Sequence, residues 1–175
     1  MRWYISTRLW YTPCMFDVLK ATGLTQVETA WALNSTQPSV SRWLCGKRNP
    51  SPEVASRIAL VRAAEDAPYT AHDIEHRRGS IVIPDGVWTP AFSPKGKFRL
   101  PHFIHWSGSD DERVLDASEL YDRMRAYMLV ITNGRPSDIR VWVDLKEFAD
   151  NLSDAVGSRR HLAVWESALK NKGVL

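Results

Sequence analysis

The sequence predicts a mainly α protein: a helical first part over residues 1–79 and an α+β second part with a smaller sheet over residues 80–175. Three observations carry this. Helix start and stop signals follow one another four times between Thr12 and Arg62. Prolines and glycines then break the chain repeatedly from Pro84 to Pro101. Helical periodicity returns from Asp116 onward. The chain has 175 residues, enough for one or two small domains. It is 44% hydrophobic and 25% charged, which excludes a largely disordered chain, a collagen-like chain or a disulfide scaffold.

The first helix is expected after Thr12 and Pro13, a cap followed by a residue preset for the first turn. Phe16, Val18, Leu19 and Leu24 supply its apolar positions, and Gly23 closes it. Thr25 and Glu28 form a capping box for the second helix, whose apolar stripe is Val27, Ala30, Trp31 and Leu33. Asn34 follows, a residue that tolerates the left-handed turn conformation. Thr36 caps a third helix over Gln37–Cys45, with Pro38 harmless in its first turn. Val40, Trp43 and Leu44 point inward, leaving Gln37, Ser41 and Arg42 outward, and Gly46 ends the helix. Ser51 and Pro52 start a fourth helix with Val54, Ile58, Leu60 and Val61 as its core face. A short helix is expected over Thr70–Arg78, with Gly79 as terminator.

In the second part, Ile81–Ile83 and Phe98–Trp106 read as short strands. A helix from Asp116 carries Leu120, Tyr121, Met124, Tyr127, Met128 and Ile131, and Asn133–Gly134 ends it. Ser137 is expected to cap one further helix with Ile139, Trp142, Val143 and Phe148 on its apolar face. A last helix runs from about Ser158 to Lys170.

Charge is distributed unevenly. Residues 1–79 hold ten Lys/Arg against seven Asp/Glu, whereas residues 80–175 hold thirteen of each. The stretch Arg42–Arg62 contains Arg42, Lys47, Arg48, Arg57 and Arg62 with one acid, Glu53. That is a modest footprint for a polyanion. On charge alone, a solvated helix face is the better reading.

The segment Leu24–Lys47 adds a specific pattern: Leu24–Thr25–Gln26, Ala30, Ser35–Thr36–Gln37–Pro38–Ser39–Val40–Ser41–Arg42–Trp43–Leu44, then Gly46–Lys47–Arg48–Asn49–Pro50–Ser51–Pro52. It resembles, without gaps, the helix-turn-helix of the Cro/lambda-repressor-like, or XRE, family over roughly residues 12–65. The resemblance implies a four- to five-helix lambda-repressor-like N-terminal domain that binds double-stranded DNA. Two departures stand out. Asn34 occupies a turn position that is often glycine, and Thr29 replaces a usual leucine, which is expected to loosen the contact between the two helices.

In that fold the second helix of the motif enters the major groove, N-terminus forward. Gln37 can then pair bidentately with adenine, and Arg42 with guanine. Pro38 offers an apolar surface to a thymine methyl, and Ser41 is short enough for a base edge. Ser39 is assigned to phosphate. Gln26, at the start of the preceding helix, holds a phosphate in the family, and helix N-termini favour anions. Lys47, Arg48 and Asn49 are expected on the flanking backbone, where they set register without reading sequence. Arg57 and Arg62 are better read as a solvated face, and Trp31 and Trp43 as core. In the second part, Lys95, Lys97 and Arg99 are further candidates for phosphate contact.

Other constellations are weaker. His72 and His76 lie four apart beside Glu75, but the order does not fit a zinc protease. His102 and His105 would face opposite sides of a strand. No metal site, cofactor or catalytic group is expected, and the protein is read as not an enzyme. Asp110, Asp111 and Glu112 are read as favouring the N-terminal dipole of a following helix. Cys14 and Cys45 are read as reduced, buried or half-buried core residues.

No apolar run approaches the ~18–20 residues of a membrane span. Met1–Trp10 has two arginines and no small-residue cleavage site, so no signal peptide is expected. The expected location is the cytoplasm. Trp3, Ile5 and Trp10 suggest that the extension 1–11 packs on something, as a strand or a dimer contact.

These observations lead to the expectation of a sequence-specific transcriptional regulator of bacterial or phage origin. It is expected to be a repressor acting as a homodimer, with residues 80–175 serving dimerisation, sensing or partner binding. The alternative is an antitoxin-like protein. Its second part would neutralise a partner protein while the helix-turn-helix autoregulates the operon.

Overall fold

The computed structural model describes residues 14–73 and 80–175. Four helices come first: α1 (Cys14–Ala21), α2 (Gln26–Ala32), α3 (Gln37–Leu44) and α4 (Pro52–Glu65). Two antiparallel pairs follow, β1 (Tyr69–Asp73) with β2 (Ser80–Pro84), and β3 (Lys97–Phe98) with β4 (Leu115–Asp116). Five helices complete the described chain: α5 (Leu120–Asn133), α6 (Pro136–Trp142), α7 (Leu145–Asp150), α8 (Leu152–Ala155) and α9 (Arg159–Asn171). The fold is mostly helical with two small sheets, as the residue pattern predicts.

One buried core runs through both parts. Around the first helices it contains Val18, Leu19, Ala30, Leu33, Val40, Ile58 and Val61. α1 and α6 both pack on α4, so α4 is shared between the early helices and the later ones. Further on, the core becomes aromatic. Trp142 meets Phe92 edge-on at 4.8 Å and stacks with Phe98 at 6.0 Å. Phe148 meets Trp165 edge-on at 4.9 Å. Trp88 donates its Nε1–H to the Val143 carbonyl at 3.0 Å and lies beneath Arg140 and Lys172.

Several expectations are corrected. The helix over Thr70–Arg78 is replaced, in its described portion, by β1, whose register runs from Tyr69↔Pro84 to Asp73↔Ser80. β2 buries Ile81 and Ile83 and offers an open ladder, and pairing with it outweighs the weak helical pattern. Residues 74–79, including His76, Glu75 and Gly79, lie outside the described residues, as do Met1–Pro13. The strand over Phe98–Trp106 shrinks to Lys97–Phe98. Pro101 has no N–H for a ladder, and its carbonyl instead accepts from Ile104 and His105 in a turn. His102 and His105 therefore do not alternate along a strand; His102 is exposed and His105 buried.

Asp116 belongs to β4, and the helix beyond it starts at Leu120. Asp110–Glu112 does not precede that helix. It forms a turn in which the Glu112 carboxylate accepts the Ser109 N–H at 2.6 Å. The single helix expected from Ser137 to Phe148 is two helices. Ser137 lies inside α6, where Asp138 holds the Arg135 N–H at 2.8 Å from the N-terminal end. Val143 is extended, and Asp144 starts α7 by accepting the Lys146 and Glu147 N–H groups at 3.0 Å each.

Four residues assigned to apolar faces stand at the surface: Val27, Leu60, Leu120 and Tyr121. Cys45 is also exposed rather than packed. It follows the last residue of α3, where Gly46 turns the chain away at φ +66°. The side chain of Cys14 lies outside the described residues.

Candidate nucleic-acid interface

The α2–turn–α3 unit is built from local signals that close as expected. The Thr25 hydroxyl accepts the Glu28 N–H at 3.3 Å, and the Glu28 carboxylate accepts the Thr25 N–H at 2.8 Å. This reciprocal pair satisfies two donors that a helix start leaves open. Asn34 takes φ +52°, the one positive φ among the described non-glycine residues. The turn is locked by Ser35 N–H donating to the Ala30 carbonyl at 2.7 Å. Thr36 occupies the cap position of α3, yet its hydroxyl pairs with the Ser39 hydroxyl at 3.0 Å instead of capping a backbone N–H. Between the helices, Ala30, Leu33, Val40 and Trp43 are buried, and Thr29 is buried with them. Trp31 packs half-buried against this core.

That packing fixes which side of α3 faces water. Gln37, Pro38 and Arg42 are exposed, while Ser39 and Ser41 are half-buried. Gln26 is also exposed, and its Oε1 accepts a hydrogen from Gln37 Nε2 at 2.8 Å. This bond ties the first residues of α2 and α3 together. It leaves the Gln37 carbonyl oxygen and one of its amide hydrogens for an outside partner, as well as the Gln26 amide hydrogens. Lys47, Arg48 and Asn49 are exposed in the loop beyond α3, and Lys47 N–H donates to the Arg42 carbonyl at 2.8 Å.

α3 contains no acidic residue. Among the described residues, no carboxylate is ion-paired with Arg42, Lys47 or Arg48. Arg57, by contrast, reaches back to Glu53 at 3.1 Å. The surface thus presents amide, hydroxyl and guanidinium groups with a net positive charge. That chemistry suits base edges and phosphates.

Residues 17–61 match the helix-turn-helix family. This segment is a helix-turn-helix of the Cro/lambda-repressor-like type. No curated protein and no solved structure matches the chain. The helix-turn-helix family is one of DNA-binding regulatory domains, and the segment gives the protein a DNA-binding unit of the kind found in transcription regulators. Among the described residues, no helix is long and apolar enough to cross a membrane. No cluster of metal-ligating side chains is found among them either.

Two features of the helix-turn-helix escape the residue pattern. The first is the Gln26–Gln37 bond; two glutamines, each opening one of paired helices, are its only sequence signal. The second is Asn34. Its Nδ2–H donates to the Ser93 carbonyl at 2.8 Å, and its Oδ1 accepts the Lys95 N–H at 2.9 Å. An asparagine where glycine is frequent is the corresponding clue.

Proposed function

We propose that the protein is a sequence-specific repressor that reads the major groove with α3. The observation that carries this reading is the Gln26–Gln37 bond on an exposed, acid-free helix start. It pre-sets the Gln37 amide for a bidentate contact with adenine and lets Gln26 extend toward phosphate. Arg42 is the guanine reader, with Pro38 and Ser41 beside it. Ser39, Lys47, Arg48 and Asn49 take backbone contacts. Occupation of an operator would block polymerase. The domain division proposed is 1–79 for DNA and 80–175 for dimerisation, sensing or partner contact. A two-fold homodimer would require an inverted repeat with half-sites about one helical turn apart, roughly 34 Å.

Selection of bound duplexes from a random library, with the solution mass measured alongside, tests this. An enriched inverted repeat and a dimer mass are expected. Absence of any enriched motif would overturn it.

The antitoxin-like reading draws less support. Of the four tryptophans in residues 80–175, Trp142 and Trp165 are buried and Trp88 is half-buried. Trp106, at 67% exposure, remains available to a partner.

A further inference from the structure

A loop of the second part is fastened to the turn of the helix-turn-helix. Asn34 donates from Nδ2 to the Ser93 carbonyl at 2.8 Å, and its Oδ1 accepts the Lys95 N–H at 2.9 Å. β3, which starts at Lys97, packs on α2. The loop is thus anchored to the DNA-binding unit at two points. At its tip it carries Lys95 and Lys97, both exposed. Among the described residues, neither is ion-paired with a carboxylate. Asp116 stands opposite Lys97 in the β3–β4 register, but its Oδ1 accepts the Ser118 N–H at 2.9 Å and the Ser118 hydroxyl at 2.7 Å. Asp116 offsets part of the Lys97 charge, so Lys95 is the stronger cation of the two. The space beside Gly96, between them, is open: a Cβ there would meet nothing within 4 Å. Arg99 is half-buried and lies outside this surface.

Asn34 precedes Gln37 by three residues, at most about 11 Å along the chain. The major groove is only about 12 Å wide and is bounded on both sides by phosphates. With the start of α3 in that groove, a loop held by Asn34 stands at the groove's rim. We propose that the Lys95–Lys97 loop is a second DNA contact, with its two ammonium groups on phosphates beside the N-terminal end of α3. The inference rests on the reading of α3 as the groove helix. Lysine is a compact point charge, suited to phosphate rather than to base edges. The loop therefore adds affinity on any sequence and no base discrimination. It is separate from Lys47, Arg48 and Asn49, which follow the other end of α3.

The test is the salt dependence of DNA binding by the full chain, on the selected operator and on a scrambled duplex. The double variant Lys95→Ala, Lys97→Ala is expected to lower the slope of log K against log salt by about 1.8 on both duplexes, about 0.9 per phosphate contact. Alanine keeps the bond from residue 95 to Asn34, because its donor is the backbone N–H. Lys95→Arg with Lys97→Arg keeps both charges and should keep the slope. Lys170→Ala removes an exposed lysine of α9, with half the double variant's change in net charge, and should also leave the slope unchanged. An unchanged slope in the alanine double variant overturns the proposal. So does a fall of the same size in the arginine variant or in Lys170→Ala. The scrambled duplex separates the two readings. Wild-type protein that binds DNA without selecting any sequence fails as a repressor, yet the lysine comparison can still be read.

Discussion

Asn34 and Ser93, fifty-nine positions apart, are joined by a side-chain hydrogen bond of 2.8 Å from the turn of the helix-turn-helix to a loop of the second part. The same asparagine accepts the Lys95 N–H, so one amide spans two backbone groups of that loop. Glycine would adopt the +52° φ without strain but would lose both bonds. Asn34→Gly is therefore expected to lower unfolding free energy by about 1 kcal/mol, the net worth of exposed hydrogen bonds. Asn34→Ala should cost more, because it adds left-handed strain to the same loss. Denaturant unfolding of both variants checks the order; a more stable Asn34→Ala would contradict it.

Arg42 and Lys47 should separate by salt and sequence. Arg42→Ala is expected to cost ~1–3 kcal/mol on the selected operator and to relax one base position. Lys47→Ala should weaken binding on every sequence and lower the salt slope by about 1. Equal losses on operator and scrambled duplex for Arg42→Ala would remove it from the base readers. An unchanged slope would remove Lys47 from the phosphate contacts.

Gln26 and Gln37 should behave as one unit on DNA. Each alanine variant is expected to lose affinity, and the double variant should lose less than the sum, because their 2.8 Å bond couples them. A double-mutant cycle on the operator measures this. Strict additivity would mean that the bond does not prepare the reading amide.

His105 sets a pH window for stability. It is 2% exposed, its Nδ1 is buried without a hydrogen-bond partner among the described residues, and burial, then Arg125 and Arg113, push its pKa below the ordinary value. The folded state thus resists a proton that the unfolded chain accepts near pH ~6.5. Stability from this group is complete above that pH and falls as the pH drops through it toward the lower folded value. Asp110, Glu112 and Asp116, whose pKa values are lowered by hydrogen bonds to Arg113, Ser109 and Ser118 respectively, act in the more acidic carboxylate range. His105→Leu is expected to flatten the stability profile between about pH 7 and 5 and leave the acid limb in place. A wild-type profile already flat there would refute the assignment.

The first part was legible because its signals are local. The Thr25–Glu28 box, Asn34 in the turn, Pro38 in a first turn and Gly46 as terminator each act within four residues. The exposed face of α3 follows from burying Val40 and Trp43. The second part was less legible because its signals are distant. β1 exists by pairing with Ile81 and Ile83, and nothing within Tyr69–Asp73 announces that. The break at Val143 depends on Asp144 choosing a cap over a helix interior. Leu60 and Tyr121 fit an apolar period, but no element among the described residues buries them. The Gln26–Gln37 and Asn34–Ser93 bonds pair side chains with partners that only the folded chain brings near.

α4 ends at Glu65 and β1 begins at Tyr69, so three residues connect them, while α4 itself packs on α6. Among the described residues, the first helices are therefore held to the second part by this short connection and by the packing of α4 on α6. In a two-fold dimer, the angular phase between the two α3 helices would be carried by folded protein rather than by a flexible linker. One inserted base pair turns the second half-site by about a tenth of a revolution, and a rigid pair of readers cannot follow it. If the protein binds as such a dimer, its operators should share one spacer length, with none of the tolerance that tethered DNA-binding modules allow.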